Sequence, residues 1–279
     1  MPSVAEPRSG PVPTEAASNG CFETMRAYHA RIFRLEQHLD RLESSARYLG
    51  LCAPLQRSRI RSRLTEALRA SGIQEAIVRI ALLPQPRGIR RAEAPDVLPS
   101  VVVQPVQLPT AQAYRQGIRV AVVPTRKSAV NAIDPRAKYS ARLGSILAVA
   151  DAQLRGVDEA LFLDALGGVT ESTASNFFIV ARGGLVTAPC WIGLLQGVTR
   201  DVIGELANAL RIPLREEPIT RHDVYTADEA FLSSTIKEVL AVTTVDGRRI
   251  GSGVCGPMTA RLHRAFKALV AKELRHGPR

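Results

Sequence analysis

The sequence predicts an α+β protein built in two parts. Two observations carry this. Segments with apolar residues at helical spacing alternate with short β-compatible runs along the whole chain. A polar stretch near residues 109–117 also divides a first half of two helices and several strands from a second half opening on a strong strand. The 279 residues suit about two domains at roughly 150 residues each.

Cys21–Ile32 reads as strand, turn at His29–Ala30, strand. Leu35, Leu39, Leu42, Ala46 and Leu49 form one helical stripe, and Gly50 suits its end. Residues 54–70 form a second helix ending near Gly72. Residues 76–83 and 98–106 are strand-like, separated by a Pro/Arg-rich loop. The second half begins with strand 118–123. A helix follows, with Leu143, Ile146, Leu147, Ala150 and Leu154 at helical spacing and Gly156 closing it. Short strands come next at 160–163, 177–181 and 185–187. Gly197 opens a helix with Val202, Ile203, Leu206 and Leu210 on one face. Strands 229–232 and 239–245 precede an Asp246–Gly247 hairpin turn, and Pro257–Arg275 is the last helix. The expected layout is a disordered Pro/Ser/Gly-rich leader over 1–19, a small unit over 20–108, a linker over 109–117 and a larger unit over 118–279.

Composition excludes some classes. With 46% hydrophobic and 23% charged residues and a mean hydropathy of +0.00, the chain reads as an ordinary globular protein. No apolar run reaches the roughly 18 residues of a membrane helix. Four scattered cysteines (Cys21, Cys52, Cys190, Cys255) form no CxxC pair, so neither a metal site nor a disulfide framework is expected, and a reducing cytoplasm is the default. The net charge of +11 raises nucleic acid as a partner. The densest basic run, Arg57–Arg69, has no interleaved aromatics and reads as a solvated helix face.

Three features carry chemistry. Lys138 is one of only five lysines and stands where an apolar helix is expected to begin. Helix-end potential and partial burial there favour a neutral amine able to form a Schiff base with an aldehyde. Gly197-Val198-Thr199-Arg200 starts a helix whose free amides suit a phosphate, with Thr199 placed to cap it. Ser233-Ser234-Thr235 ends a strand with three hydroxyls that suit phosphate oxygens or a turn. Glu171, in GGVTESTASN, reads as an exposed carboxylate in a polar loop.

Together these segments resemble one family. LFLDALGGVTESTASNFFIV, LVTAP, GLLQGVTRDVIGELA, ADEAFLSSTIKEVLAVTTVDG and IGSGVCGP look like the class IV aminotransferases, the fold-type IV pyridoxal phosphate enzymes, in order and spacing from about Phe22 to Gly256. The resemblance implies a small α/β N-terminal domain, a larger C-terminal pseudo-barrel domain, and pyridoxal 5'-phosphate between them. It implies that Lys138 forms the internal aldimine and moves the proton, that Glu171 pairs with the pyridine nitrogen, and that Arg41 in QHLDRLESSA binds phosphate. Val198, Thr199, Ser234 and Thr235 would complete the phosphate cradle. Arg26, Arg79, Arg87 and Ile236 are the substrate-side candidates, with Arg90 and Arg126 as rivals for the substrate carboxylate. The implied reaction is ping-pong transamination between an amino acid or primary amine and a 2-oxo acid, by a cytoplasmic homodimer. Aminodeoxychorismate lyase, eliminating pyruvate on the same scaffold, is the alternative. Two positions depart from the branched-chain pattern: Leu143 stands where a tyrosine contacts the cofactor, and Ala141 where an asparagine is frequent.

Overall fold

The computed structural model describes residues 20–51, 55–84 and 97–275. The expected leader, and Arg87 and Arg90 with it, lie outside the described residues. The first sheet is antiparallel, in the order β2 (Arg31–Ile32), β1 (Cys21–Tyr28), β3 (Ala76–Pro84), β4 (Val97–Pro105). The β1–β2 turn is made by His29 and Ala30, both at positive φ, a geometry that matches the twist of the flanking strands. Helices α1 (Leu35–Tyr48) and α2 (Arg57–Ser71) cover one face of this sheet. They do so because Leu39, Leu42 and Ala46 on α1, and Ile60, Leu64 and Leu68 on α2, recur at three- and four-residue spacing and bury together. The Arg57–Arg69 run turns outward. Arg57 pairs with Asp40 and Glu43, and Arg61 with Glu36.

The stretch 109–117, expected as a linker, contains helix α3 (Ala111–Gln116). Thr110 caps it through its hydroxyl, and Tyr114 stacks on His263 at 4.5 Å. A polar composition hid this element, because six residues with one cap carry no apolar period.

The second sheet comprises β5 (Ile118–Arg126), β6 (Glu159–Leu163), β7 (Val169–Ser172), β8 (Asn176–Ala181), β9 (Gly184–Thr187), β10 (Leu214–Glu216), β11 (Glu229–Ser234), β12 (Glu238–Val245) and β13 (Arg248–Arg249). Its path runs β10-β9-β8-β11-β12-β5-β6-β7, and β7 pairs back to β8 through Glu171 and Asn176. Six strands therefore close into a barrel. One apolar cluster draws Val120, Leu161, Val169, Phe177, Leu232 and Val242 from all six. The alternate residues Phe178, Val180 and Phe231 face outward under helices α5 (Val198–Ala209) and α7 (Pro257–Arg275), where Leu262, Phe266 and Val270 are buried. Tyr28 and Phe33 join this outer cluster and tie the first sheet to the second.

Helix α4 (Leu143–Leu154) has the expected length, but its large apolar stripe faces away from the core. Ala148 and Ala152 are buried, while Leu143, Ile146, Leu147 and Leu154 are 68%, 65%, 51% and 87% exposed. Small residues let α4 lie close on Val123, Ala160 and Phe162.

Candidate active site

A cleft of about 450 Å³ opens where the barrel meets β1 and α1. Lys138, Arg41, Glu171, Val198, Thr199, Ser234 and Thr235, chosen from the sequence, all line it. Arg126 lines it as well, whereas Arg26, Arg79 and Ile236 do not. Arg26 is buried elsewhere, its Nη1 donating to Glu238 Oε1 at 2.6 Å and its Nη2 to Glu75. Ile236 sits half-buried in the turn between β11 and β12. Arg79 lies exposed on β3 with its guanidinium 4.3 Å from the centre of the Phe22 ring, itself in the cleft wall.

Lys138 is not at a helix start, contrary to expectation; α4 begins five residues later with Arg142 before it. An extended segment holds it against β1 instead. Its amide donates to Ser45 Oγ at 2.9 Å, and its carbonyl accepts from Phe22 N at 3.0 Å. Burial, with Arg41 and Arg142 nearby, pushes the Lys138 amine down to about 7, against the opposing pull of Glu23 and Glu171. Desolvation and like charge thus do what the helix end was expected to do.

Glu171 also corrects the sequence reading. It is on strand β7, 6% exposed, because barrel closure buries this polar segment. Its Oε1 accepts from Lys127 Nζ at 2.6 Å, and its Oε2 from Asn176 Nδ2 and the Leu195 amide at 3.2 and 3.1 Å. A carboxylate has about four lone-pair sites. Three are taken, so one more donor from the cleft can be accepted.

Arg41 projects from α1. Fully buried Glu23 accepts from its Nε and Nη2 at 2.7 and 2.8 Å, and Nη1 donates to the Gln196 carbonyl just before α5. His38 Nδ1 lies 2.7 Å from the same carboxylate. Burial works against the Glu23 charge, but Arg41 and His38 outweigh it and hold the carboxyl well below the usual range. The guanidinium is thereby fixed beside the first turn of α5, whose leading amides have no acceptor within the helix. Gly197, not Thr199, is the cap residue of α5, and no side chain caps it. A Cβ at Gly197 would lie 2.1 Å from Asn176 Oδ1, so glycine is what lets this helix end approach the Glu171 cluster. The Oγ atoms of Ser172, Ser175 and Ser233, all in the cleft wall, are buried without partners. The remaining N–H groups of Arg41, the open helix amides, the unpartnered hydroxyls of the cleft wall and a carboxylate with one acceptor position to spare fit a phosphorylated pyridine with an aldehyde near Lys138.

Sequence reasoning missed Glu23, Lys127, Asn176 and Arg142. Only Lys127 carried a signal, as a rare lysine in an arginine-rich chain.

Comparison with known proteins identifies the family. A relative from Methanocaldococcus jannaschii, provisionally named a branched-chain-amino-acid aminotransferase, is 36% identical over 91% of this chain and 88% of its own length. The Escherichia coli branched-chain amino acid aminotransferase structure superposes with a TM-score of 0.86 at 30% identity, covering 92% of this chain and 86% of that one. The Thermobaculum terrenum branched-chain enzyme, solved in its PLP form, gives 0.82 at 26% identity over 91% and 86%. The model of amino-transferase class IV matches residues 20–245. This chain belongs to the class IV aminotransferase family.

Proposed function

We propose a division of labour for the residues of this cleft in a pyridoxal-phosphate-dependent aminotransferase. The enzyme moves amino groups between amino acids and 2-oxo acids. Bound in the cleft, pyridoxal 5'-phosphate supplies the electron sink that makes a Cα–H bond acidic. Arg41, the Val198 and Thr199 amides, and the Ser234 and Thr235 hydroxyls hold its phosphate. Glu171, which already accepts from Lys127 and two N–H donors, would accept from the proton-bearing pyridine nitrogen. Lys138 Nζ takes the proton from the substrate Cα and gives it back, a task that suits an amine which is partly neutral near pH 7. The single observation behind this reading is Lys138 sharing one cleft with the Glu171 cluster and the Arg41 helix end. Lyase chemistry gains no support, since the relatives are named as branched-chain aminotransferases.

We infer L-branched-chain amino acids as donors, supported by those names. The division between a smaller and a larger unit is placed at residues 109–117, supported by the change of sheet on either side of α3. A homodimer is inferred from the outward stripe of α4, since such apolar patches mark contact surfaces. A cytoplasmic setting rests on the cysteine pattern; among the described residues no helix is long and apolar enough to cross a membrane. Absorption spectra of the purified holoenzyme test the function. L-leucine is expected to bleach the visible cofactor band, with D-alanine and R-1-phenylethylamine much weaker. A band that L-leucine leaves untouched refutes the donor assignment. A protein that never binds pyridoxal phosphate refutes the whole reading.

A further inference from the structure

We infer that Arg142 is the residue that binds the substrate carboxylate, with Arg79 flanking it across the Phe22 ring. The inference rests on the transaminase reading above.

Charge accounting in the cleft leads to it. Arg41 is neutralised by Glu23, and Lys127 by Glu171. Arg126 has turned its Nη1 onto the carbonyls of Val123 and Pro124 in its own strand. Arg26 is held by Glu238 outside the cleft. Arg142 lines the cleft and has no carboxylate partner among the described residues. Its Nη2 donates to the Thr173 carbonyl and, at 3.4 Å, to Ser145 Oγ. A guanidinium has five N–H donors, so three remain for a ligand while the other two anchor the group.

The placement suits an α-carboxylate. One ring organises three cations: Lys138 Nζ lies 5.0 Å from the centre of Phe22, the Arg142 guanidinium 5.8 Å and the Arg79 guanidinium 4.3 Å. Arg79 has no carboxylate partner among the described residues either. Partial desolvation against the Phe22 ring, and then the charge of Arg142, hold the Arg79 guanidinium below its usual range although the residue is exposed. Two cations without counter-charges, next to the amine, call for an anion on the atom adjacent to the one that carries the substrate nitrogen. A planar fork matches a carboxylate in two parallel hydrogen bonds, which a lysine does not reproduce. Arg142 thereby discriminates amino and oxo acids from simple amines.

The test uses holoenzyme: wild type, Arg142→Met, Arg142→Lys and Arg79→Met. Spectral titration gives dissociation constants for 4-methylpentanoate and for its uncharged amide, neither of which can be transaminated. Arg142→Met is expected to weaken the carboxylate about 10- to 100-fold, the amide less than about twofold, and to raise KM for L-leucine in parallel. The lysine variant should recover part of the loss, and the cofactor dissociation constant should stay at the wild-type value. Arg79→Met should show a smaller effect of the same kind. Equal losses for carboxylate and amide, an unchanged carboxylate affinity, a rise confined to the cofactor dissociation constant, or a loss found only in Arg79→Met each overturn the assignment. Wild-type holoenzyme that binds the carboxylate normally but transfers no amino group would instead overturn the transaminase reading.

Discussion

Removing the reactive lysine should make the apoprotein more stable, not less. The native state holds the Lys138 amine near 7 against an ordinary lysine value of 10.5. Between these values the unfolded chain carries a proton that the native state has given up, so native stability rises with pH across this window. Below pH 7 both states are charged, and the native state bears the full cost of a charge buried beside Arg41 and Arg142. At about 1.36 kcal/mol per unit, that cost is roughly 4–5 kcal/mol at pH 6 and falls to roughly 2 kcal/mol at pH 9. Lys138→Met keeps most of the side-chain volume and removes the charge. Urea unfolding of wild-type and variant apoprotein at the two pH values reads the difference directly. The variant should be more stable at pH 6 by an amount approaching that figure, and the gap should narrow by pH 9. A wild type equal to or more stable than the variant at pH 6, or a gap that widens with pH, would refute the argument that burial and like charge set this amine.

Three other perturbations follow from the same cleft and its surroundings. Glu23→Gln strands the buried Arg41 charge and should lower unfolding free energy by about 3–5 kcal/mol. Because the Glu23 carboxyl lies below its unfolded value, its stabilisation is present above about pH 4.3 and lost as pH falls, so the variant should also show a shallower acid-side slope; identical acid unfolding in both proteins would defeat this. Gly197→Ala must displace Asn176 from Glu171 and should weaken cofactor binding about tenfold by equilibrium dialysis, whereas wild-type affinity would show that this helix end tolerates a Cβ. Ile146→Asp with Leu147→Asp should convert a sedimenting dimer to monomer, and a monomeric wild type would remove α4 as an interface.

What was legible in the sequence, and what was not, divides along a physical line. The period of α4 was readable, but LGSILAVADAQL is apolar nearly all round, so periodicity had no way to choose between the stripe of large residues and the Ala148–Ala152 face. The core took the small face because close approach of α4 to β5 and β6 requires it. Lys138, the Gly197 helix start and the Ser234–Thr235 strand end were readable because each is a local signature, of a rare residue, a turn or a run of hydroxyls. Glu171 was misread as exposed for the opposite reason. Its strand, VTES, carries three polar residues after a single valine, and with glycines before it and Thr-Ala-Ser after it the segment looks like a loop. They form a strand because they close a barrel between β6 and β8, and Glu171 and Ser172 are polar because they face the cleft. Glu23 and Arg41 meet across a strand and a helix, and Lys127 reaches Glu171 over 44 positions. Such pairs leave no mark in local pattern. The residues that break the strand rule are thus the ones that build the site, which is where consistency between local pattern and fold is expected to fail.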